Sequence, residues 1–223
     1  MNPWTRKYFL STKIGRLGEA ERRLLDQSWR YARRETGSSS WSVSNSTSSR
    51  RRIVSFDTLI PRSSITISHH QGNNKRDEEA YRIHGIHVFD KDACLNEARN
   101  HDKQDTPLVM LHGYMAGGAY FYRNFAGLSD YFKNIYSLDL LGWGLSSRPN
   151  FKVMPNNTLE TAEDFFVQSL EAWRRANGVE RMILVGHSMG GYVSVVYCGK
   201  MATESPIFKK RERETVKTFL GYG

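Results

Sequence analysis

Gly186-His187-Ser188-Met189-Gly190 is the stretch whose residue types and spacing could do chemistry. The apolar run Arg181 to Val185 leads into it and the amphipathic run Tyr192 to Tyr197 follows it, which reads as strand, sharp turn and helix. A serine at such a turn sits on strained backbone with its hydroxyl held above the sheet, where it is a candidate nucleophile. Gly186 and Gly190 are glycines because larger side chains would collide there, and His187 completes the turn beside the serine. The Met189 amide lies at the start of the next helix, where it can hold a developing oxyanion.

A second station lies upstream. Pro107 to Leu111 is a fully apolar run of buried-strand type, and it ends in His112-Gly113-Tyr114-Met115-Ala116-Gly117-Gly118. A His-Gly turn directly after a buried strand suits the other half of an oxyanion hole, with the Tyr114 amide as donor and Gly113 supporting it. His112 reads as a structural histidine bonded to local backbone in preference to a proton carrier. Phe121 to Tyr131 reads as a helix. The next strand, Ile135 to Asp139, runs into the Gly142-Trp143-Gly144 turn, where Asp139 is expected to stabilise the turn. Asn157 and Glu160 form a candidate helix cap. Leu159, Ala162, Phe166, Leu170 and Trp173 then give one apolar face, and Asn177-Gly178 stops the helix. Upstream, Ile53 to Phe56, Ser64 to Ser68 and Ile83 to Phe89 read as short strands. The whole is an α/β chain with a mostly parallel sheet flanked by helices.

The chain of 223 residues can hold one sizeable domain. Its net charge of +9 is uneven, because residues 1–52 carry twelve Lys and Arg against four acids. The half that carries Ser188 is therefore not a basic domain, and no nucleic-acid-binding motif accompanies the charge, so no nucleic-acid partner is expected. Three domain-level segments follow: a basic aromatic segment over 1–36, a Ser/Arg-rich linker over 37–52 and an α/β domain over 53–223. From Ile14 to Trp29 the positions Leu17, Ala20, Leu24, Leu25 and Trp29 recur at helical spacing, with Arg16, Glu19, Arg22 and Arg23 opposite. Three readings stand open for residues 1–36. They are a helix packed on the domain, a contact with a peripheral membrane or lipid-droplet surface, and a mitochondrial transit peptide, against which Glu19, Glu21 and Asp26 count. The corresponding localisation is intracellular, cytosolic with peripheral membrane or lipid-droplet association, and mitochondrial in the alternative. Cys94 and Cys198 match no metal or redox spacing, and no metal or organic cofactor is indicated.

The segments "LVMLHGY", "DLLGWGLSSRP" and "MILVGHSMGG" occur in the order of the α/β-hydrolase fold. The wider match, "YRNFAGLSDYFKNIYSLDLLGWGLSSRP" followed by "AEDFFVQSLEAWRRANGVERMILVGHSMGGYVSVVY", resembles the lipid-acting branch of α/β-hydrolase-domain proteins, which holds phospholipases and lysophosphatidic acid acyltransferases. "LGEAERRLL" is similar to that branch's N-terminal helix. The resemblance implies Ser188 as nucleophile, the Tyr114 and Met189 amides as oxyanion hole, and an acyl ester or amide of a glycerophospholipid as substrate. Hydrolysis and acyl transfer to a lysophospholipid share the acyl-enzyme and differ in whether water or an alcohol attacks it. Some relatives carry a His-x4-Asp motif near their C-terminus; the only such spacing here, His87 to Asp92, lies in the wrong place and reads as coincidence.

The departure from that pattern is the base. A serine nucleophile needs a histidine to take its proton and an acid to orient that histidine. In this fold both follow the serine in the chain. After Ser188 there is no His and no Asp, only Glu204, Glu212 and Glu214. The expectation is a C-terminally incomplete hydrolase whose acid and base lie further on. The alternative is a catalytically inactive short form that binds lipid or a protein partner. An upstream base such as His69 or His70 would break the order of the fold. The sheet edge beyond the Ser188 strand is expected to be left unpaired, with Thr215 to Leu220 as one further candidate strand.

Overall fold

The computed structural model describes residues 14–36, 41–42, 51–65, 80–90, 104–149, 158–204 and 219–220. Seven strands form one sheet: β1 (Trp41–Ser42), β2 (Arg51–Pro61), β3 (Ala80–Asp90), β4 (Leu108–Leu111), β5 (Asn134–Leu138), β6 (Ile183–Gly186) and β7 (Phe219–Leu220). Their spatial order is β1-β2-β3-β5-β4-β6-β7. β2 and β3 pair antiparallel along their full eleven residues, from Arg51 opposite Asp90 to Pro61 opposite Ala80. β3 joins β5 antiparallel, and β4, β5, β6 and β7 run parallel to their neighbours.

Helices cover both faces. α1 (Ile14–Thr36) and the single turn α2 (Phe125–Leu128) lie on one side, and α3 (Leu159–Ala176) and α4 (Met189–Glu204) on the other. β4 is central and all four of its residues are buried, which explains its unbroken apolar run. Leu108 and Met110 pack with Leu25, Ile86, Phe121, Phe125 and Ile135, whereas Val109 and Leu111 pack with Phe165, Leu170, Trp173, Val193 and Tyr197. The two-residue side-chain period of the strand thus feeds two cores.

Several local expectations need correction. The Ile53–Phe56 strand extends over the whole of β2, Arg51–Pro61, and β1 pairs alongside its start, so the 52/53 boundary falls inside a strand. Ser64 ends a turn of 3-10 helix, Arg62–Ser64, and residues 66–68 lie outside the described residues. No continuous helix runs from Phe121 to Tyr131. A 3-10 turn, Gly118–Phe121, precedes α2, because the Gly118 amide is committed to Asp139 and Gly127 weakens the helix that follows. The cap of α3 is Thr158, whose hydroxyl accepts the Thr161 N–H at 3.3 Å; Asn157 lies outside the described residues. Leu159 is 69% exposed, so the buried face of α3 is built from Phe165, Leu170 and Trp173 instead. Asn177 is the C-cap and Gly178 takes a φ of 63°, the left-handed conformation that ends a helix. β7 pairs with β6 at Val185 and Gly186, so that edge is not bare.

α1 is a helix packed on the domain. Leu25 is buried among Ile53, Ile86, Val88 and Phe125. One turn away, Glu21 is buried too, and it accepts hydrogen bonds from Ser55 Oγ at 2.7 Å and His84 Nε2 at 3.0 Å. His84 donates its other ring N–H to Asp57 at 2.8 Å. Burial opposes charge on this imidazole, but Glu21 and then Asp57 outweigh it and push its pKa up to about 9.

Unfolded, His84 loses its proton near the ordinary histidine value of 6.5, and folded at about 9. It therefore contributes its full stabilisation below pH 6.5, and this is lost as pH rises through 9; the contribution is about 3 kcal/mol on the linkage relation. Thermal unfolding between pH 6 and 10 should give a falling Tm across that window. In His84→Gln the same window should be flatter.

Candidate active site around Ser188

The Ser188 turn is made by backbone crossing backbone. A Cβ on Gly190 would lie 2.1 Å from the Leu111 carbonyl oxygen and 2.6 Å from that of His112. One on Gly186 would lie 2.3 Å from the carbonyl carbon and oxygen of Gly190. Neither neighbour is a side chain that could swing aside. β6 extends its pairing with β4 by one more bond, His187 N–H to Leu111 O at 3.0 Å, and the chain then reverses into α4. Ser188 takes up that reversal with a φ of 52°, rare for a residue with a Cβ, and it is exposed. Among the described residues no hydrogen bond is made to its hydroxyl.

The His-Gly turn after β4 lies directly against this elbow. A Cβ on Gly113 would sit 2.9 Å from His187 Nδ1 and 3.2 Å from Ser188 Cβ. The next residue, Tyr114, is exposed, and Met115 takes a φ of 59°. The Tyr114 and Met189 amides have no acceptor among the described residues. Each belongs to a residue next to one that touches or is Ser188. The Ser188 turn and the turn packed against it thus each carry an N–H without an acceptor among the described residues.

None of the four histidines of the described residues makes a hydrogen bond to Ser188. His112 is fully buried, donates from Nδ1 to the Gly113 carbonyl at 2.7 Å and accepts the Leu140 N–H at Nε2 at 3.0 Å. Burial pushes its pKa down, and with both nitrogens used it is the structural residue expected from the sequence. His87 bonds Asn134 and stacks between Phe89 and Tyr136, and Asp92, the other member of the His87–Asp92 spacing, lies outside the described residues. His84 is held by Glu21 and Asp57. His187 stacks on Tyr120 at 4.8 Å, and its Nδ1 is buried without a partner. His69, His70 and His101 lie outside the described residues.

Asp139 stitches the two loops that border the site. It is buried at the end of β5; its Oδ1 accepts the Gly118 N–H and its Oδ2 the Leu145 N–H, both at 2.6 Å. Burial raises the pKa of its carboxyl against those two bonds and the charge of His84. Gly144 must be glycine, because a Cβ there would fall 2.0 Å from Asp139 Oδ2. Ser146 links the second loop back, donating to the Asp139 carbonyl at 2.7 Å and accepting the His84 N–H at 2.9 Å. The sequence signals the role of Asp139 but not those of Gly118, Ser146, Tyr120 or Glu21.

Residues 106–207 match the family model described as alpha/beta hydrolase fold, and the chain has that fold across the Ser188 site. Curated relatives overlap the same region. The chain is 45% identical over 95 residues to the (Lyso)-N-acylphosphatidylethanolamine lipase of Mus musculus, covering 43% of this chain and 26% of that protein. It is 44% identical over 99 residues to the 1-acylglycerol-3-phosphate O-acyltransferase of Arabidopsis thaliana, covering 44% and 23%. It is 36% identical over 118 residues to the 1-acylglycerol-3-phosphate O-acyltransferase ABHD5 of Pongo abelii, covering 52% and 32%. The chain thus spans a third or less of the length of the curated relatives it matches.

The crossing at the elbow gives a sharp stability contrast. Gly190→Ala and Gly186→Ala should each cost about 3 kcal/mol or more, since backbone atoms would have to move. Ser188→Ala keeps the conformation and changes no bond to the hydroxyl, so its urea midpoint should match that of the unaltered chain. Equal midpoints for the Gly190→Ala variant and the parent would overturn the packing argument.

Proposed function

We propose that this chain, which carries the α/β hydrolase fold around Ser188, is the nucleophile-bearing part of a serine hydrolase acting on acyl esters of phospholipids or lysophospholipids. Ser188 Oγ attacks the acyl carbonyl carbon and displaces the alcohol. The Tyr114 and Met189 amides take the negative charge that develops on the carbonyl oxygen. Water or the hydroxyl of a lysophospholipid then attacks the acyl-enzyme, giving a free fatty acid or a new ester.

The observation that carries this reading is the exposed, left-handed Ser188 with two amides, on its turn and on the turn packed against it, that have no other acceptor among the described residues. The backbone crossing enforces that geometry, and an exposed hydroxyl held on strained backbone is what acyl transfer can use. The lipid class is supported by the names of the relatives, a lipase of (lyso)-N-acylphosphatidylethanolamine and acyltransferases of 1-acylglycerol-3-phosphate. No helix among the described residues is long and apolar enough to cross a membrane. The basic, aromatic segment 1–36 supplies the chemistry for contact with a lipid surface. Only its α1 part is described, and there Arg16, Arg22, Arg23 and Arg30 face outward.

One observation favours the alternative of a chain that binds lipid or a protein partner without turnover. No described histidine reaches Ser188. The two readings separate on the natural protein recovered from cells. Its intact mass gives its length, and treatment with an alkyl fluorophosphonate followed by peptide mapping gives the nucleophile. The hydrolase reading expects a single adduct on Ser188 that is absent in Ser188→Ala, with release of fatty acid from phospholipid vesicles. A folded protein that takes no adduct at Ser188 would refute it in favour of binding alone.

A further inference from the structure

Glu21 lies on the N-terminal helix, far from Ser188 in the chain, yet it touches the frame of the site. Its carboxylate meets His84 Nε2 at 3.0 Å through both oxygens. One ring nitrogen of His84, one Glu21 oxygen and one Asp139 oxygen lie within 4.8 Å of one another, all on buried residues. Asp139 in turn holds the Gly118 amide, which follows the Tyr114 turn, and the Leu145 amide of the next loop. The trio has the composition of a cation site, but its atoms are already taken. Both ring nitrogens of His84 have carboxylate partners and both oxygens of Asp139 have amide donors.

Charge alternates along this line: Glu21 and Asp57 as anions, His84 between them, then Asp139. Without the Glu21 charge, His84 keeps only Asp57, whose side chain is half-exposed, and burial then favours the neutral imidazole. Asp139, whose carboxyl burial already pushes towards protonation, loses a positive neighbour when His84 is neutral. An Asp139 that is protonated loses acceptor strength towards the Gly118 and Leu145 amides, which it now holds at 2.6 Å.

We infer that Glu21 is a positioning residue for the Ser188 site: by holding His84 between two carboxylates it keeps Asp139 as the clamp on both loops that border the nucleophile. α1 is then a structural input to the site and not only a cover for the sheet. The inference rests on the reading of Ser188 as the reactive centre, but its test does not need Ser188 to react.

The test is amide hydrogen exchange on the 223-residue chain, read residue by residue by NMR. Glu21→Gln keeps the shape and removes the charge. It should speed exchange at Gly118 and Leu145 roughly ten-fold, the loss of one charge-assisted bond each, while the β4 amides hold. Glu19→Gln, exposed on the same helix, should change neither. Asp57→Asn, at a half-exposed side chain, should act in the same direction more weakly, and it stands in if Glu21→Gln does not fold. Unchanged exchange at Gly118 and Leu145 in a folded Glu21→Gln or Asp57→Asn protein overturns the inference. So does equal acceleration everywhere, β4 included, which would mean that Glu21 only stabilises the fold. If the two amides loosen as expected but Ser188 takes no fluorophosphonate, the hydrolase reading fails and this one stands.

Discussion

The site depends on a contact between main chains. The β6–α4 turn passes so close over the end of β4 that Gly190 lies against the carbonyl oxygens of Leu111 and His112, with Gly186 against Gly190 itself. Once those separations are set, the chain has one residue in which to reverse, and that residue is Ser188 at a φ of 52°. The strain is of order 1–2 kcal/mol for a residue with a Cβ, small beside the burial of β4 and β6 that enforces it. The same crossing puts Gly113 against His187 and Ser188. One steric constraint therefore sets the serine and the neighbouring turn together.

Side chains enter at the next level, as ties between loops. His112 reaches from the end of β4 to the Leu140 amide after β5, and Asp139 reaches from the end of β5 back to Gly118. The two ties cross, so neither loop can shift without breaking a buried bond, and a buried polar group left unpaired is costly. This is why His112 is neutral and Asp139 is walled by glycines. Both serve the frame, and neither is positioned for proton transfer to Ser188.

What could be read from the sequence follows the same division. The elbow, the His-Gly turn and the Asp139 loop are legible because their constraints are local and steric, and they leave glycines at fixed offsets from Ser188, His112 and Asp139. Non-local pairing is not legible. The alternation of β2 breaks at Ser55 and Asp57, which shortens the strand on paper, yet these polar residues face α1, where Glu21 and His84 meet them. Phe121 to Tyr131 has helical spacing, but tertiary bonds at Gly118 override it. Leu159 fits the apolar stripe of α3 and still faces outward, as do its neighbours Thr158 and Glu160 in the first turn. Glu21 reads in the sequence only as one of three acids that count against a transit peptide, and its burial against Ser55 and His84 emerges only in the fold.

The division also bears on what the site does without a base. Every described histidine owes its position to packing or to the loop ties, so the elbow forms independently of whatever group takes the serine proton. In the proposed reaction the chain then supplies two separable things, a nucleophile held in an attacking geometry and two amides fixed where charge develops. Preorganised donors of this kind hold an anion without any proton transfer, and in serine proteases they retain about 10³–10⁴ of rate over water when the triad is removed. On the proposed reaction, a form of the protein lacking the base would keep affinity for a tetrahedral anion at Ser188 and lose turnover. Binding and catalysis thus part at the proton, not at the fold.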